Sequence, residues 1–251
     1  MGRPWPWRLD TLWTLADDGR GGLWAGTIPG GLFHSPDGVT WTLDRGLWDD
    51  PRRKMWFGGG YDTPGVHSVL VHPTDADDVL IGVSCGGVWR TRNAGSAART
   101  WTLVGTGLYA EFMPPEQRYA LETQDPHRLA RCRDVPEVVW CQHHNGVFRS
   151  TDGGETFEDL GPEHRGAPAS FGFGVAAHPR LPGTAFFVPG DKDERRYPTG
   201  GRLVVARTDD GGLRFTTDAT GLPTGPAWDL VYRHALAIDD SGERKIGRAH
   251  V

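Results

Sequence analysis

Apolar residues along this chain come in short bursts, such as Leu12-Trp13-Thr14-Leu15, His67-Ser68-Val69-Leu70-Val71 and Val79-Leu80-Ile81-Gly82-Val83, each closed within a few positions by Gly, Pro, Asp or Asn. Alternation with a period near two marks half-buried strands, and short unbroken apolar runs between turn residues mark fully buried ones. No stretch sustains the 3.6-residue recurrence of an amphipathic helix. The bursts group in fours, predicting strands at 12–15, 22–27, 31–35 and 40–43, then 67–72, 79–84, 87–91 and 100–104. A third set falls at 127–132, 137–142, 146–150 and 156–160, and a fourth at 173–178, 184–188, 202–207 and 214–218. A fifth set opens at Trp228.

One kind of turn separates the third and fourth strands of every set. It reads Ser35-Pro36-Asp37-Gly38-Val39-Thr40-Trp41, then Thr91-Arg92-Asn93-Ala94-Gly95 with Thr100-Trp101, then Ser150-Thr151-Asp152-Gly153-Gly154-Glu155-Thr156-Phe157, and finally Thr208-Asp209-Asp210-Gly211-Gly212-Leu213-Arg214-Phe215. Positions 37, 93, 152 and 210 are 56, 59 and 58 residues apart in succession. A short carboxylate accepts from nearby backbone N–H groups while Gly takes positive φ at no steric cost, so the Asp of such a turn is read as a folding staple rather than a catalyst. Four antiparallel strands repeated at this period predict an all-β fold, a β-propeller of four-stranded blades. Four blades are complete and a fifth is begun, as part of a six- or seven-bladed ring.

That topology assigns the loops to faces. In an up-and-down blade, the connections from fourth to first strand and from second to third emerge on one face, opposite the Asp and Asn turns. The favoured face therefore carries the long stretch 45–66 with Trp56-Phe57-Gly58-Gly59-Gly60-Tyr61-Asp62, the stretch 105–126 with Glu116 and Asp125, the pair His143-His144, and 189–197 with Arg195 and Arg196. Long loops with convergent polar groups on a rigid scaffold are where binding resides. The first strand of each blade is innermost, so His67, His127, Arg128, Phe171 to Phe173, Arg233 and His234 are expected at the channel mouth. This set of imidazoles, guanidiniums, carboxylates and rings suits a glycan or small anionic ligand, with a protein partner as the other occupant. Blander readings stand beside it: His143 and His144 as hairpin caps, 192–196 as a solvated charge run, and Cys85 as a small buried filler. His67, His127, His143, His144 and Cys85 could approach one another at the channel mouth, but no HxH, HExxH or CxxC spacing is present, and neither a metal nor any other cofactor is expected.

Composition supports many tight turns and aromatic packing, with 36 Gly, 19 Pro and 11 Trp in 251 residues. A net charge of −5 supplies no electrostatic footprint for nucleic acid. No apolar run approaches the roughly 20 residues of a membrane span. The amino terminus lacks the apolar core of a secretory signal, and three cysteines cannot all pair, which together point to a reducing cytoplasm.

The turns, with Gly86-Gly87-Val88-Trp89-Arg90-Thr91, Asn145-Gly146-Val147-Phe148-Arg149-Ser150 and Gly221-Leu222-Pro223, resemble the Asp boxes of bacterial BNR-repeat, sialidase-like propellers, over nearly all of residues 10–240. Asp boxes also occur in sortilin-type receptors, other glycosidases and photosystem assembly propellers, so the resemblance implies a fold before a function. A sialidase would use three arginines on the substrate carboxylate, a Tyr nucleophile paired with Glu, and an Asp acid. By position, the resemblance offers Arg128 and Arg233 for the arginines, Tyr232 or Tyr61 with Glu116 for the pair, and Asp62 for the acid. The family's arginine motif (F/Y)RIP before the first box is missing. A generic glycosidase would need two carboxylates about 5–10 Å apart, from Asp62, Glu116 and Asp125. Three readings follow: a sialidase-like glycoside hydrolase acting on the loop face, a non-catalytic propeller binding through that face, and a lyase or other hydrolase on the same scaffold.

Residues 1–244 read as one incomplete propeller domain. The last seven, Lys245-Ile246-Gly247-Arg248-Ala249-His250-Val251, can be encoded as AAG ATC GGA AGA GCA CAC GTC, which resembles a sequencing adapter, and are expected to be a non-native tail.

Overall fold

The computed structural model describes residues 8–161 and 171–243, and the backbone at 245–247. Nineteen strands are present among them. The first blade holds β1 (Thr11–Asp17), β2 (Leu23–Ile28), β3 (Leu32–Ser35) and β4 (Thr42–Leu43); the second holds β5 (Gly65–His72), β6 (Asp75–Ser84), β7 (Gly87–Thr91) and β8 (Thr102–Val104). The third holds β9 (Pro126–Arg131), β10 (Val139–His143), β11 (Gly146–Ser150) and β12 (Glu158–Asp159). The fourth holds β13 (Phe171–Ala177), β14 (Ala185–Lys192), β16 (Val205–Thr208) and β17 (Thr216–Asp218), with β15 (Arg195–Pro198) as a side strand on β14. Each blade is an antiparallel meander paired in chain order, so the fold is an all-β propeller.

The turns explain why the chain reverses where it does. Asp37 Oδ1 accepts from the N–H groups of Val39 at 2.8 Å and Thr40 at 2.7 Å, and from Ser35 Oγ at 3.0 Å. Asp152 accepts from Ser150 Oγ at 2.7 Å, Thr156 N at 3.0 Å and Thr156 Oγ1 at 2.6 Å. Asn93 and Asp210 make the corresponding contacts to Thr100 N and Arg214 N, both at 3.0 Å.

Alternation of side chains across each strand builds one core per blade junction. In β6, Val79 and Ile81 point into the core shared with the first blade, beside Trp24, Leu32 and Trp89, whereas Leu80 joins Leu129, Val139 and Phe148 of the third. Between the third and fourth blades lie Trp140, Val147, Leu160, Val175 and Phe187. The outer face of the fourth blade is covered by Ala227, Val231 and Leu236 packing on Ala176, Phe186 and Val188. Backbone bonds add to these cores: Gly105 N and Thr106 N both donate to Glu155 O at 3.0 Å, and Phe157 N donates to Thr106 O at 2.7 Å. The buried Arg90 guanidinium ties Asp78 of its own blade to Glu155 of the next.

Three places differ from the sequence reading. The loops at 45–66 and 105–126 contain a short α-helix, Arg45–Trp48, and 3₁₀ turns at Pro51–Met55, Pro115–Gln117 and Leu121–Thr123, too short to leave a helical period. The stretch 189–197 is a hairpin, because β14 continues to Lys192 and turns back through β15. The segment from Trp228 is not yet a strand: a 3₁₀ turn at Arg233–Ala235 precedes β18 (Leu236–Ile238). There β18 pairs with β19 (Lys245–Gly247) in the register Ala237 to Ile246. The rest of the tail, 248–251, and the amino-terminal residues 1–7 lie outside the described residues.

Candidate functional site

A cavity of about 960 Å³ opens where the inner strands meet the loops between blades. Its wall begins with Trp13 on β1, His127 on β9 and Phe173 on β13. The loop at 45–64 adds Phe57, Gly59, Gly60 and Tyr61; the loop at 105–125 adds Phe112 and Asp125. Ser84 ends β6, Cys85 and His144 come from the tight turns after β6 and β10, Asp193 and Arg196 from the β14–β15 hairpin, and Tyr232 to Ala235 from the turn before β18. None of the Asp and Asn turn residues lines it.

Asp125 is the centre of its polar groups. Oδ1 accepts from Ser84 Oγ at 3.1 Å and from Cys85 N–H at 3.0 Å, while Oδ2 lies 3.3 Å from His127 Nε2 and 3.4 Å from His144 Nδ1. Burial works to raise this carboxyl, but the facing His127 and His144 outweigh it and hold Asp125 well below the usual carboxylate range. Asp125 is therefore a fixed anion. Burial lowers His127 against the pull of Asp125. Its Nδ1–H donates to Gly172 O at 2.6 Å, and its ring lies nearly parallel to Phe173 at a centroid distance of 4.3 Å.

Arg233 forms the opposite pole. Its guanidinium lies 4.5 Å from the Trp13 ring centre and 5.1 Å from that of Phe173, and its Nε is buried with no hydrogen-bond partner among the described residues. Burial lowers it to about 10, so it stays charged at neutral pH. Arg196, also lining the cavity, is paired with Asp193. His234 Nε2 donates to His67 O at 2.8 Å, and burial followed by the nearby Arg128 charge lowers His234 to about 4. Tyr232 packs on Phe173 at 4.9 Å.

The structure thus brings together Asp125, His127, His144, Arg196, Tyr232, Arg233 and His234 from the sequence candidates. His67, His143, Arg128 and Arg195 do not line the cavity. His67 is wholly buried with Nδ1 at 2.8 Å from Ser68 Oγ, and burial drives its pKa well down. His143, lowered to about 3 by burial, uses Nε2 to accept from Asp125 N–H at 3.0 Å and so positions the carboxylate's backbone. Arg128 lies behind the wall, its Nε and Nη1 without partners among the described residues, lowered to about 10 by burial and then by Arg233. Arg195 is exposed and paired with Asp191 at 2.8 Å. Asp62 and Glu116 are exposed on the flanking loops, apart from the lining residues.

Trp13 and Phe112 line the cavity without having been singled out from the sequence, whereas Ser84 and Cys85 lie in the second-to-third-strand connection assigned to this face. Trp13 follows the same inner-strand rule that selects His67 and His127. Nothing local marks Phe112, which the loop path alone brings inward. The described residues contain no helix long and apolar enough to cross a membrane.

No protein-family model and no curated protein sequence matches the chain. Solved structures resemble it in fold. An ancestral GH74 enzyme superposes with a TM-score of 0.63 at 13% identity, over 94% of this chain and 28% of that one. The GH74 xyloglucanase from Xanthomonas campestris gives 0.59 at 17%, over 91% and 33%. YCF48 from Cyanidioschyzon merolae gives 0.50 at 16%, over 96% and 66%. The chain therefore spans a third or less of the two enzymes' lengths, and at these identities the likeness is one of fold.

Proposed function

We propose that the chain is a glycan-recognition propeller whose loop-face cavity takes a sugar bearing a carboxylate or similar anionic group. The observation that carries this reading is Arg233, a charged guanidinium held between the Trp13 and Phe173 rings and exposed to an aromatic-walled cavity. Guanidinium forks match carboxylates in a bidentate manner, and sugar faces pack on aromatic rings. Tyr61, Phe57 and Tyr232 supply further ring surface. The turn hydrogen bonds at Asp37, Asn93, Asp152 and Asp210 support the finer family reading, a sialidase-like Asp-box propeller.

A panel of acidic and neutral oligosaccharides tests the reading by calorimetry. Acidic members are expected to bind, and Arg233→Gln to weaken them about tenfold or more, the loss expected of one charge-assisted contact. Equal binding of neutral and acidic sugars, or no effect of the substitution, would count against it.

Hydrolysis is the second reading, kept because the fold is shared with GH74 enzymes. The lining carboxylates do not suit it. Asp125 is held ionised and so has no proton to give a leaving group, and the Asp193 carboxylate is engaged by Arg196. Catalysis would fall to Asp62 and Glu116. Release of sugar that disappears in both Asp62→Asn and Glu116→Gln would favour hydrolysis; no release by the wild-type chain favours recognition alone.

A further inference from the structure

The contact between Asp125 and His127 is incomplete as it stands. Because Gly172 O can only accept, His127 Nδ1 carries a proton, and Nε2 faces Asp125 Oδ2 from 3.3 Å, where only a second ring proton or a cation can join the two. Two lone pairs face one another in a buried site unless a proton or a cation lies between them. His144 Nδ1 approaches the same oxygen at 3.4 Å, and the three ligand atoms all lie within 4.8 Å of one another.

We propose that Asp125, His127 and His144 bind a divalent first-row transition-metal ion, with open coordination positions facing the cavity. Ligands about 2.0–2.2 Å from a tetrahedral centre stand roughly 3.4 Å apart, which is the separation of each imidazole nitrogen from Asp125 Oδ2, with all three donor atoms within 4.8 Å of one another. One carboxylate and two imidazoles form a donor set for Zn²⁺, Fe²⁺ or Co²⁺ rather than Ca²⁺ or Mg²⁺. The surroundings are those of a supported site. The His127 Nδ1–H bond to a backbone carbonyl fixes the tautomer that offers Nε2, and Ser84 Oγ and Cys85 N–H orient the carboxylate from its other oxygen. Phe112 and Phe171 pack edge-on against His144 at 5.0 and 5.7 Å, and Phe173 stacks on His127, which limits ring rotation. The Cys85 thiol lines the same cavity but is outside the three mutually close donors. Three protein ligands beside a large cavity leave room for water or an anionic group on the ion. With a single carboxylate the loaded site carries net positive charge, so a metal would add to Arg233 in drawing an anion.

Metal-stripped protein dialysed against Zn²⁺ alone tests this without any glycan, so its outcome is independent of the ligand reading. The wild-type chain is expected to retain one Zn²⁺, and Co²⁺ to give the visible d–d absorption of an N/O-ligated centre. His144→Ala, at a partly exposed position, is expected to weaken retention at least about tenfold while far-ultraviolet circular dichroism stays unchanged. His72→Ala, outside the cavity, is expected to leave it intact. No retention by folded wild-type protein would overturn the proposal, leaving a protonated His127 to bridge to Asp125. Equal retention by His144→Ala, or loss in His72→Ala, would overturn the assigned ligands.

Discussion

Gly107 shows how tightly single positions are constrained where blades meet. Its φ is +97°, in the left-handed region, and a Cβ built there would lie 2.2 Å from Phe157 O, the backbone of the next blade. Both terms oppose any side chain. Gly107→Ala is expected to destabilise the fold by about 1–3 kcal/mol, read as a lower urea midpoint with unchanged slope. The turn carboxylates act at the same scale. Backbone N–H bonds from Thr40 and then Val39 lower Asp37 to about 2, and burial of Asp152, which raises it, is outweighed by bonds from Thr156. Their folded values lie below the unfolded ones, so the stability they give is present above the usual carboxylate range. It is lost as pH falls through the folded values, near 2 for Asp37. The urea midpoint is therefore expected to drop as pH is lowered from about 6 to 3, and to drop less in Asp152→Asn.

At the scale of elements, the second strands of the second, third and fourth blades, β6, β10 and β14, carry the cores on both sides of them. Trp140 on β10 is fully buried, edge-on to Phe187 of the fourth blade at 6.1 Å, with the Arg149 guanidinium 5.3 Å from its ring. Trp140→Ala removes contacts that only the junction supplies and is expected to cost about 3–5 kcal/mol, a large share of a typical domain's stability. Denaturant unfolding followed by circular dichroism measures this; a loss under about 1 kcal/mol would mean that the junction is not a cooperative core. The strands were legible in the sequence because period-two patterning and Asp-Gly turns are local signals. The hairpin at 185–198 was not, because Pro189, Gly190 and the charged run after them read as loop, while pairing between β14 and β15 depends on partners the chain supplies only after reversing. The 3₁₀ turn at Arg233–Ala235 was not legible because three residues are too few to leave a helical period in the strand-like text from Trp228 to Ile238.

Across the whole molecule, the repeat separates a face of stapling turns from a cavity built by the loops and inner strands. Counting strands around each blade was enough to find that face and to nominate His127, Arg233 and Asp125. It could not show that Asp125 and His144, 19 positions apart in sequence, approach to 3.4 Å, or that Asp62 and Glu116 stay outside. Those relations arise only when loops from separate blades converge. We infer that this convergence recognises an anionic group through Arg233. Its most direct test is calorimetric titration of the wild-type chain and Arg233→Gln with an acidic oligosaccharide and with the same sugar after reduction of its carboxyl to an alcohol. The account expects wild-type protein to prefer the carboxylate form by about tenfold or more and Arg233→Gln to lose that preference. Equal affinity of the wild-type chain for both forms, or an unchanged preference in Arg233→Gln, would contradict it.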